Sequence, residues 1–299
     1  MSVFIWNTRG LNIKERRQDL KDQLFKLRPS VVGLVETKVK EHKSHRITRC
    51  LPHNWSFANN YMYSPRGRIW VAWDMSVWDC NVISTSAQQI SMDCTNKRGL
   101  HIAITVVYGA NLQSQRASLW TELKYISCSI VNLPWVVMGD FNTARYTNEK
   151  IGGRHLKISQ LRDFNDCLDI CALSDIRSTD SIWSWTNRSE GVCRISGRLD
   201  RMVGNAEWID RMPNSYYVYL NAATSDHSPL LLHMTSALPS FPKPFRHYNY
   251  WAECGGYNDV CKEAWNIEVQ GNPLYQVICR LKNTKTKLKE WSKVGVSSP

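Results

Sequence analysis

Acidic, amide and imidazole side chains recur at the ends of apolar runs in this sequence. Val3–Trp6 stops at Asn7, Val31–Val35 stops at Glu36, and Trp135–Met138 gives way to Gly139-Asp140-Phe141-Asn142. Asp200 alternates within Arg198-Leu199-Asp200-Arg201, and Asp226-His227 immediately precedes the run Pro229–Met234. Residues two apart in a strand point the same way, so Asp140 and Asn142 face one site if the strand continues through them. Taken singly, these residues have plain structural uses. Asp140 can open a turn and Asn142 can cap one. Glu36 can serve the first turn of a helix, Asp226 can cap the segment after Ser225, and a lone histidine is more often structural than catalytic. Taken together they carry a cost: two unit charges ~4 Å apart repel by about 4 kcal/mol at an effective dielectric near 20. Convergence of Glu36, Asp140, Asp200 and Asp226 therefore needs a cation or shared protons. Oxygen donors with an amide suit a hard divalent ion, Mg²⁺ or Mn²⁺, rather than zinc. A hard ion beside an imidazole is equipment for phosphoester hydrolysis.

The elements that must position these groups are legible from periodicity. Val3–Trp6, Val31–Val35, 69–73, 81–85, 101–108, Trp135–Asn142, 183–186, 198–203 and 229–234 read as strands, rich in β-branched and aromatic residues. Leu20, Leu24 and Leu27 mark a helix that Pro29 ends, with Asn12 and Glu15 spaced as a capping box. Leu119, Leu123, Ile126 and Ile130 mark a second helix, and Leu161, Phe164 and Leu168 a third. Strands outnumber helices and two helices bridge strand pairs, which predicts a layered α/β or α+β domain. Pro239, Pro242 and Pro244 mark its edge. Beyond them Leu274, Val277, Ile278, Leu281 and Leu288 recur at helical spacing among Lys282, Lys285, Lys287 and Lys289, a basic amphipathic helix or a plain solvated face.

The chain has 299 residues, 43% hydrophobic, with a formal charge of +12. That length accommodates one large domain, and that charge points to a polyanionic partner, nucleic acid before an anionic membrane. The ten cysteines include no C-x-x-C pair; Cys167 and Cys171, four apart, lack zinc-like partners, and all read as reduced thiols of an intracellular protein. The N-terminus lacks the basic n-region of a signal peptide. No stretch approaches the ~20 apolar residues of a membrane span, so a soluble chain without a membrane partner is expected.

The ordered set of motifs is familiar. Trp6-Asn7-x-Arg9-Gly10, Glu36-Thr37, Val107-Tyr108-Gly109, GDFN at 139–142, RLDR at 198–201 and SDHSPL at 225–230 resemble the endonuclease/exonuclease/phosphatase superfamily. Residues 152–187 (GGRHLKISQLRDFNDCLDICALSDIRSTDSIWSWTN) resemble the apurinic-endonuclease-like domain of plant non-LTR (LINE) retrotransposons, and Pro244-Phe245-Arg246, Tyr250-Trp251 and Glu263-Ala264-Trp265 resemble the linker after that domain.

This resemblance implies a four-layer α/β/β/α sandwich of two packed sheets flanked by helices over 1–236. Residues 237–299 would then be a linker and basic tail. It implies Mg²⁺ (or Mn²⁺) held by Glu36 with Asn7 and Asp226, and Asp140 as the base toward water, oriented by Asn142. His227 would contact the scissile phosphate, held by Asp200. Tyr108 and Asn111 would contact phosphate, with Arg9, Trp185 and Asn187 toward phosphate or DNA. The second acid that some members carry two residues after Asn7 is Arg9 here, and Ala110 stands where proline is usual. The implied activity is nicking of duplex DNA to leave a 3′-hydroxyl, nuclear if chromosomal DNA is the substrate, with DNA as partner and no obligate protein partner. No reverse transcriptase follows residue 299, as in an excised domain or truncated copy. Alternatives are an idle remnant that at most binds nucleic acid, or a sibling phosphatase, exonuclease or abasic-site repair enzyme.

Overall fold

The apolar runs at Val3–Trp6, Val31–Val35, 69–73, 101–108 and Trp135–Met138 form strands buried on both faces, and the two faces meet different neighbours; the strand over 81–85 is largely exposed instead. In β1 (Ser2–Asn7), Val3 and Ile5 join a core that includes Val106, Val136 and Met138, while Phe4 and Trp6 pack with Leu20 and Leu24 of α1 (Lys14–Leu27). In β8 (Trp135–Asp140), Val136 and Met138 face that same inner core. Trp135 and Val137 face outward onto Leu119 and Leu123 of α3 (Gln113–Ser129) and Phe164 and Leu168 of α4 (Ile158–Ile170). The layers are helix, sheet, sheet, helix, the four-layer sandwich expected from the motifs. Burial on both faces explains why the strands read as continuous apolar runs rather than alternating ones.

The computed structural model describes residues 1–179, 183–234, 247 and 249–295. One sheet runs β11 (Arg177–Thr179), β15 (Tyr216–Tyr219), β16 (Leu230–His233), β1, β2 (Val31–Val35), β4 (Ile69–Asp74) and β3 (Trp55–Asn59). The other runs β10 (Ser174–Asp175), β14 (Asp200–Gly204), β8, β7 (His101–Tyr108), β6 (Gln89–Asn96) and β5 (Trp78–Thr85). A small third sheet joins β12 (Trp185–Thr186), β13 (Ser196–Gly197) and β9 (Lys150–Ile151). Short helices α2 (His45–Thr48) and α5 (Ala206–Arg211) lie between strands. Parallel pairing of β1 with β2 and of β7 with β8 brings their carboxyl ends to common edges: Asn7 pairs with Val35, and Tyr108 with Asp140. Antiparallel β14 sets Asp200 directly opposite Asp140.

Several expectations need correction. The capping box does not form: α1 begins after Ile13, and the Asn12 amide instead donates to the Lys38 carbonyl at 2.8 Å. Strand β8 ends at Asp140, so alternation does not carry Asn142; a left-handed turn does, with φ +50° at Asn142. The strand expected at 183–186 is only Trp185–Thr186, and β3 and β6 were not foreseen. Gly139 is required by conformation: at φ +135° a Cβ would lie 2.2 Å from the Val107 carbonyl oxygen across the parallel ladder.

The chain divides into compact units Met1–Pro239 and Ser240–Pro299. In the second, α6 (Tyr257–Trp265) and α7 (Pro273–Gly295) gather Trp251, Tyr257 and Trp291 into an aromatic cluster. Leu288 is buried, but Leu274, Val277, Ile278 and Leu281 are exposed, so only part of the expected apolar stripe packs. Pro239, Pro242 and Pro244, with Phe245 and Arg246, lie outside the described residues. Among the described residues no helix is long and apolar enough to cross a membrane.

Candidate active site

Where the two sheets' edges meet, Asp140, Asp200 and His227 converge in full burial. His227 Nδ1 lies 2.8 Å from Asp200 Oδ2 and 3.9 Å from Asp140 Oδ2. Asp140 is fixed from three directions: the Asn7 amide donates to Oδ2 at 2.8 Å, the Asn142 amide to Oδ2 at 3.3 Å, and the Asn142 backbone N–H to Oδ1 at 2.8 Å. The Asn142 amide also donates to the Gly109 carbonyl at 2.7 Å, which anchors the turn after β8 to the end of β7. Ser184 Oγ accepts from the Leu199 and Asp200 N–H groups, both at 2.9 Å. Ser225 Oγ donates to the Asn7 carbonyl and accepts from the His227 N–H, and the Trp6 indole donates to the His227 carbonyl. The imidazole is therefore held by its backbone as well as by Asp200.

Charge in this cluster is governed by burial. Burial and the Asp200 carboxylate push Asp140 up to about 7, against the pull of His227. Burial opposes protonation of His227, but the Asp200 and Asp140 charges outweigh it and push the imidazole up to about 9. Near neutral pH the cluster thus holds an imidazolium and an acid close to its own midpoint, a proton-handling arrangement.

A second group lies at the ends of β1 and β2. The Arg9 guanidinium donates to both Glu36 oxygens, at 3.2 and 3.1 Å, and Lys38 Nζ lies 2.7 Å from Glu36 Oε1. Burial would raise the Glu36 carboxyl, yet Lys38 and Arg9 hold it below the usual carboxylate range. Arg9 Nε also lies 3.1 Å from Asp226 Oδ1, near enough for an ion pair but not aimed as a hydrogen bond, so that buried oxygen has no hydrogen-bond donor. Asp226 Oδ2 accepts from the Trp185 indole at 3.1 Å. Arg9, Glu36, Lys38 and Asn142 all adopt φ near +50°, a conformation costing of order 1 kcal/mol or more for a non-glycine residue. This concentration of strain at one edge is a mark of a built site.

The remaining expected residues fall around this edge. Tyr108 is buried, and burial with the Glu36 and Asp140 charges raises its hydroxyl above the usual range. Asn111 is exposed on the loop after β7, its carbonyl held by Arg116 at 2.9 Å. Trp185 is half-buried and serves Asp226. The Asn187 amide donates to the Cys193 carbonyl and accepts from the Ser189 and Ile195 N–H groups, so it shapes its own loop. Lys38, Ser184 and Ser225 were not foreseen. Only proximity to Glu36 or His227 in sequence could have suggested Lys38 and Ser225, and nothing marked Ser184.

Two donor sets could hold a metal ion. Ligand atoms of Asp140, Asp200 and His227 lie within 4.8 Å of one another. Those donors, however, already satisfy each other and Asn7. Glu36 and Asp226 are oxygen donors bridged by a cation, and Asp226 Oδ1 lacks a hydrogen bond, which fits a hard ion better.

No family model matches the sequence, and no curated protein does. Solved structures with the same fold do. The endonuclease domain of TRAS1, a telomere-specific non-LTR retrotransposon, aligns with a TM-score of 0.61 and 12% identity over 78% of this chain and 97% of that one. An AP endonuclease, LMAP, from Leishmania major gives 0.61 and 15% over 77% and 86%. An AP endonuclease from Archaeoglobus fulgidus gives 0.59 and 15% over 78% and 99%. Structural neighbours of this chain are thus endonuclease/exonuclease/phosphatase-superfamily proteins.

Proposed function

We propose that this chain is a Mg²⁺-dependent DNA endonuclease that hydrolyses one phosphodiester of a duplex and leaves a 3′-hydroxyl, the end that primes copying in a LINE-type element. The observation that carries this reading is the buried Asp140–His227–Asp200 cluster, tied through Asn7 to the Glu36 edge. The shared fold of nucleases, the motif order and the charge of +12 support it. On this reading Met1 to about residue 236 forms the catalytic domain, and the tail is the start of a linker.

Glu36, Asn7 and Asp226 would hold Mg²⁺ or Mn²⁺, which when bound neutralises charge building on phosphoryl oxygens. Asp140, its lone pairs aimed by Asn7 and Asn142, takes a proton from water. His227, charged and held by Asp200, donates to a phosphate oxygen as negative charge develops. Tyr108 adds a hydroxyl donor at the same edge. Asn111, Arg9 and Trp185 would meet the flanking phosphates and bases, and Asn187 would contribute through the shape of its loop.

Supercoiled plasmid tests the proposal directly. Nicking with Mg²⁺ is expected, abolished by EDTA and severely reduced by Glu36→Ala or Asp140→Asn. Bound but intact plasmid would defeat the reading, and release of inorganic phosphate from small monoesters would assign the chain to a phosphatase instead.

A further inference from the structure

Arg9 occupies an unusual place. Its guanidinium joins Glu36 and Asp226, the two acids that would hold a divalent ion, and its side chain is 39% exposed while that of Glu36 is 6% exposed. The backbone at Arg9 is strained, with φ +50°. Beside it opens a cleft of about 360 Å³ lined by Arg9, Arg16, Lys38, Arg188, Asn187, Thr224 and Asp226, where Asp226 is the one acid among four cations. Arg16 donates to the Arg9 carbonyl, and Arg188 to the Ala223 and Ser225 carbonyls, so these two are fixed positive charges. Arg9 alone of the three arginines lining the cleft is shown holding carboxylates, and its grip on Asp226 lacks hydrogen-bond geometry.

We propose that Arg9 is an exchangeable counter-ion: it neutralises Glu36 and Asp226 in the resting protein, and yields them to a divalent cation as it turns to a phosphodiester in the adjoining cleft. The proposal rests on the reading of Glu36 as an ion ligand. Lys38 also holds Glu36, at 2.7 Å, so a divalent ion arriving at this pair meets two cations; Arg9, which alone spans both acids, is the one whose departure frees them from that repulsion. Binding of the ion and of the phosphodiester is therefore reciprocal, each raising the other's affinity, and the coupling passes through Arg9. The exchange needs no movement of the buried Asp140–His227 cluster. It also accounts for an arginine at a position where an acid would only add to the ion's ligands: the acids stay compensated before the ion arrives.

Calorimetric titration of Mn²⁺ into the full chain tests this, with dimethyl phosphate as an uncleaved phosphodiester probe and sodium chloride to match ionic strength. Arg9→Gln is expected to bind Mn²⁺ about tenfold more tightly than wild type, inside the 5–150-fold span usual for coupled sites. Wild type should gain affinity when dimethyl phosphate is added, and Arg9→Gln should not. Arg9→Lys, which retains the charge, should stay near wild type and guards against a folding artefact, as does an unchanged circular dichroism spectrum. Glu36→Gln in the Arg9→Gln background should abolish binding. Equal or weaker Mn²⁺ binding by Arg9→Gln, or no gain by wild type with the phosphodiester, overturns the exchange while leaving Glu36 an ion ligand. Absence of Mn²⁺ binding in both proteins overturns the exchange and the reading of Glu36 together.

Discussion

The Asn7 amide at the end of β1 donates a 2.8 Å hydrogen bond to Asp140 at the end of β8, joining the edge of one sheet to the edge of the other. Asn7 also accepts from the Arg9 N–H at 3.0 Å, so one side chain touches both the proton-handling cluster and the acid–arginine group. Asn7→Ala leaves a buried carboxylate oxygen with only the longer contacts from Asn142 at 3.3 Å and His227 at 3.9 Å. Loss of about 1–3 kcal/mol is expected, read by urea denaturation. The Asp140 carboxyl should rise further once the donor is gone, moving the acid limb of the pH–rate profile upward.

The profile itself should be bell-shaped. If water activation needs ionised Asp140, nicking rises as pH passes about 7; if the phosphate contact needs charged His227, it falls as pH passes about 9. Because the two groups interact, these limbs belong to the pair. Stability follows the same shifts. Both values lie above those of the unfolded chain, so the folded state binds more protons. The His227 contribution is full below about 6.5 and is lost as pH rises through about 9, while the cost of ionising buried Asp140 grows between about 4 and 7. Wild-type stability relative to Asp140→Asn/His227→Gln should therefore decline between pH 4 and 9, measured by denaturant midpoints. A flat difference would show that neither group titrates as stated.

Asp140→Asn separates stability from activity. The isosteric amide removes a buried charge but turns its NH₂ toward one of the donors from which the two carboxylate oxygens accept, so at pH 8 the loss of stability should stay within about 1–3 kcal/mol. Nicking should fall by about 10²–10⁴, the usual worth of general-base help. A larger fall in stability would mean that Asp140 is chiefly a structural acid.

Much of this arrangement could be read from the chain because buried parallel strands leave an unmistakable apolar run, and the polar residue that ends each run lies at the sheet edge. Asn7, Glu36 and Asp140 were legible for that reason. Asp200 and His227 were marked more weakly, by alternation within a strand and by a place just before an apolar run, and only motif order gave them roles, since β14 and the 225–229 segment approach from elsewhere in the fold. Ser184 carried no signal: a serine in a short irregular stretch becomes significant only when the Leu199 and Asp200 N–H groups arrive beside it. The failure of the Asn12 cap has a similar cause. Lys38, 26 positions away, offered its carbonyl to the Asn12 amide, and a tertiary partner displaced a local one.

Gly139 should tolerate no side chain. Its φ of +135° excludes other residues, and the missing Cβ leaves room for the Val107 carbonyl 2.2 Å from where that atom would lie. Gly139→Ala should cost at least about 3 kcal/mol, strain alone accounting for about 1–3. Because β8 carries Asp140, nicking should fall as well. A variant that unfolds at the wild-type urea midpoint would contradict the close approach of β7 and β8.

Beneath the site, fully buried Arg201 donates to Glu149 at 2.5 Å and to Asp175 at 3.3 Å, and Arg198 reaches Glu149 at 3.2 Å. Glu149 accepts further from the Arg145 N–H, so this network fastens the 145–150 segment to β14, the strand that begins with Asp200. Burial favours the neutral acid at Asp175, but Arg201, Arg145 and Arg198 hold it below the usual carboxylate range. Its contribution is therefore present above about 4 and is lost as pH falls below that. Glu149→Ala leaves fully buried Arg201 and half-buried Arg198 sharing Asp175 as their remaining carboxylate and should cost about 3 kcal/mol. Arg201→Met/Glu149→Leu replaces the innermost pair with apolar groups and should recover most of that loss, because a buried ion pair is costly to break yet adds little over packed hydrocarbon. If the double variant is no more stable than Glu149→Ala in urea, the network's remaining members, Arg145, Arg198 and Asp175, depend on Glu149 for more than charge balance.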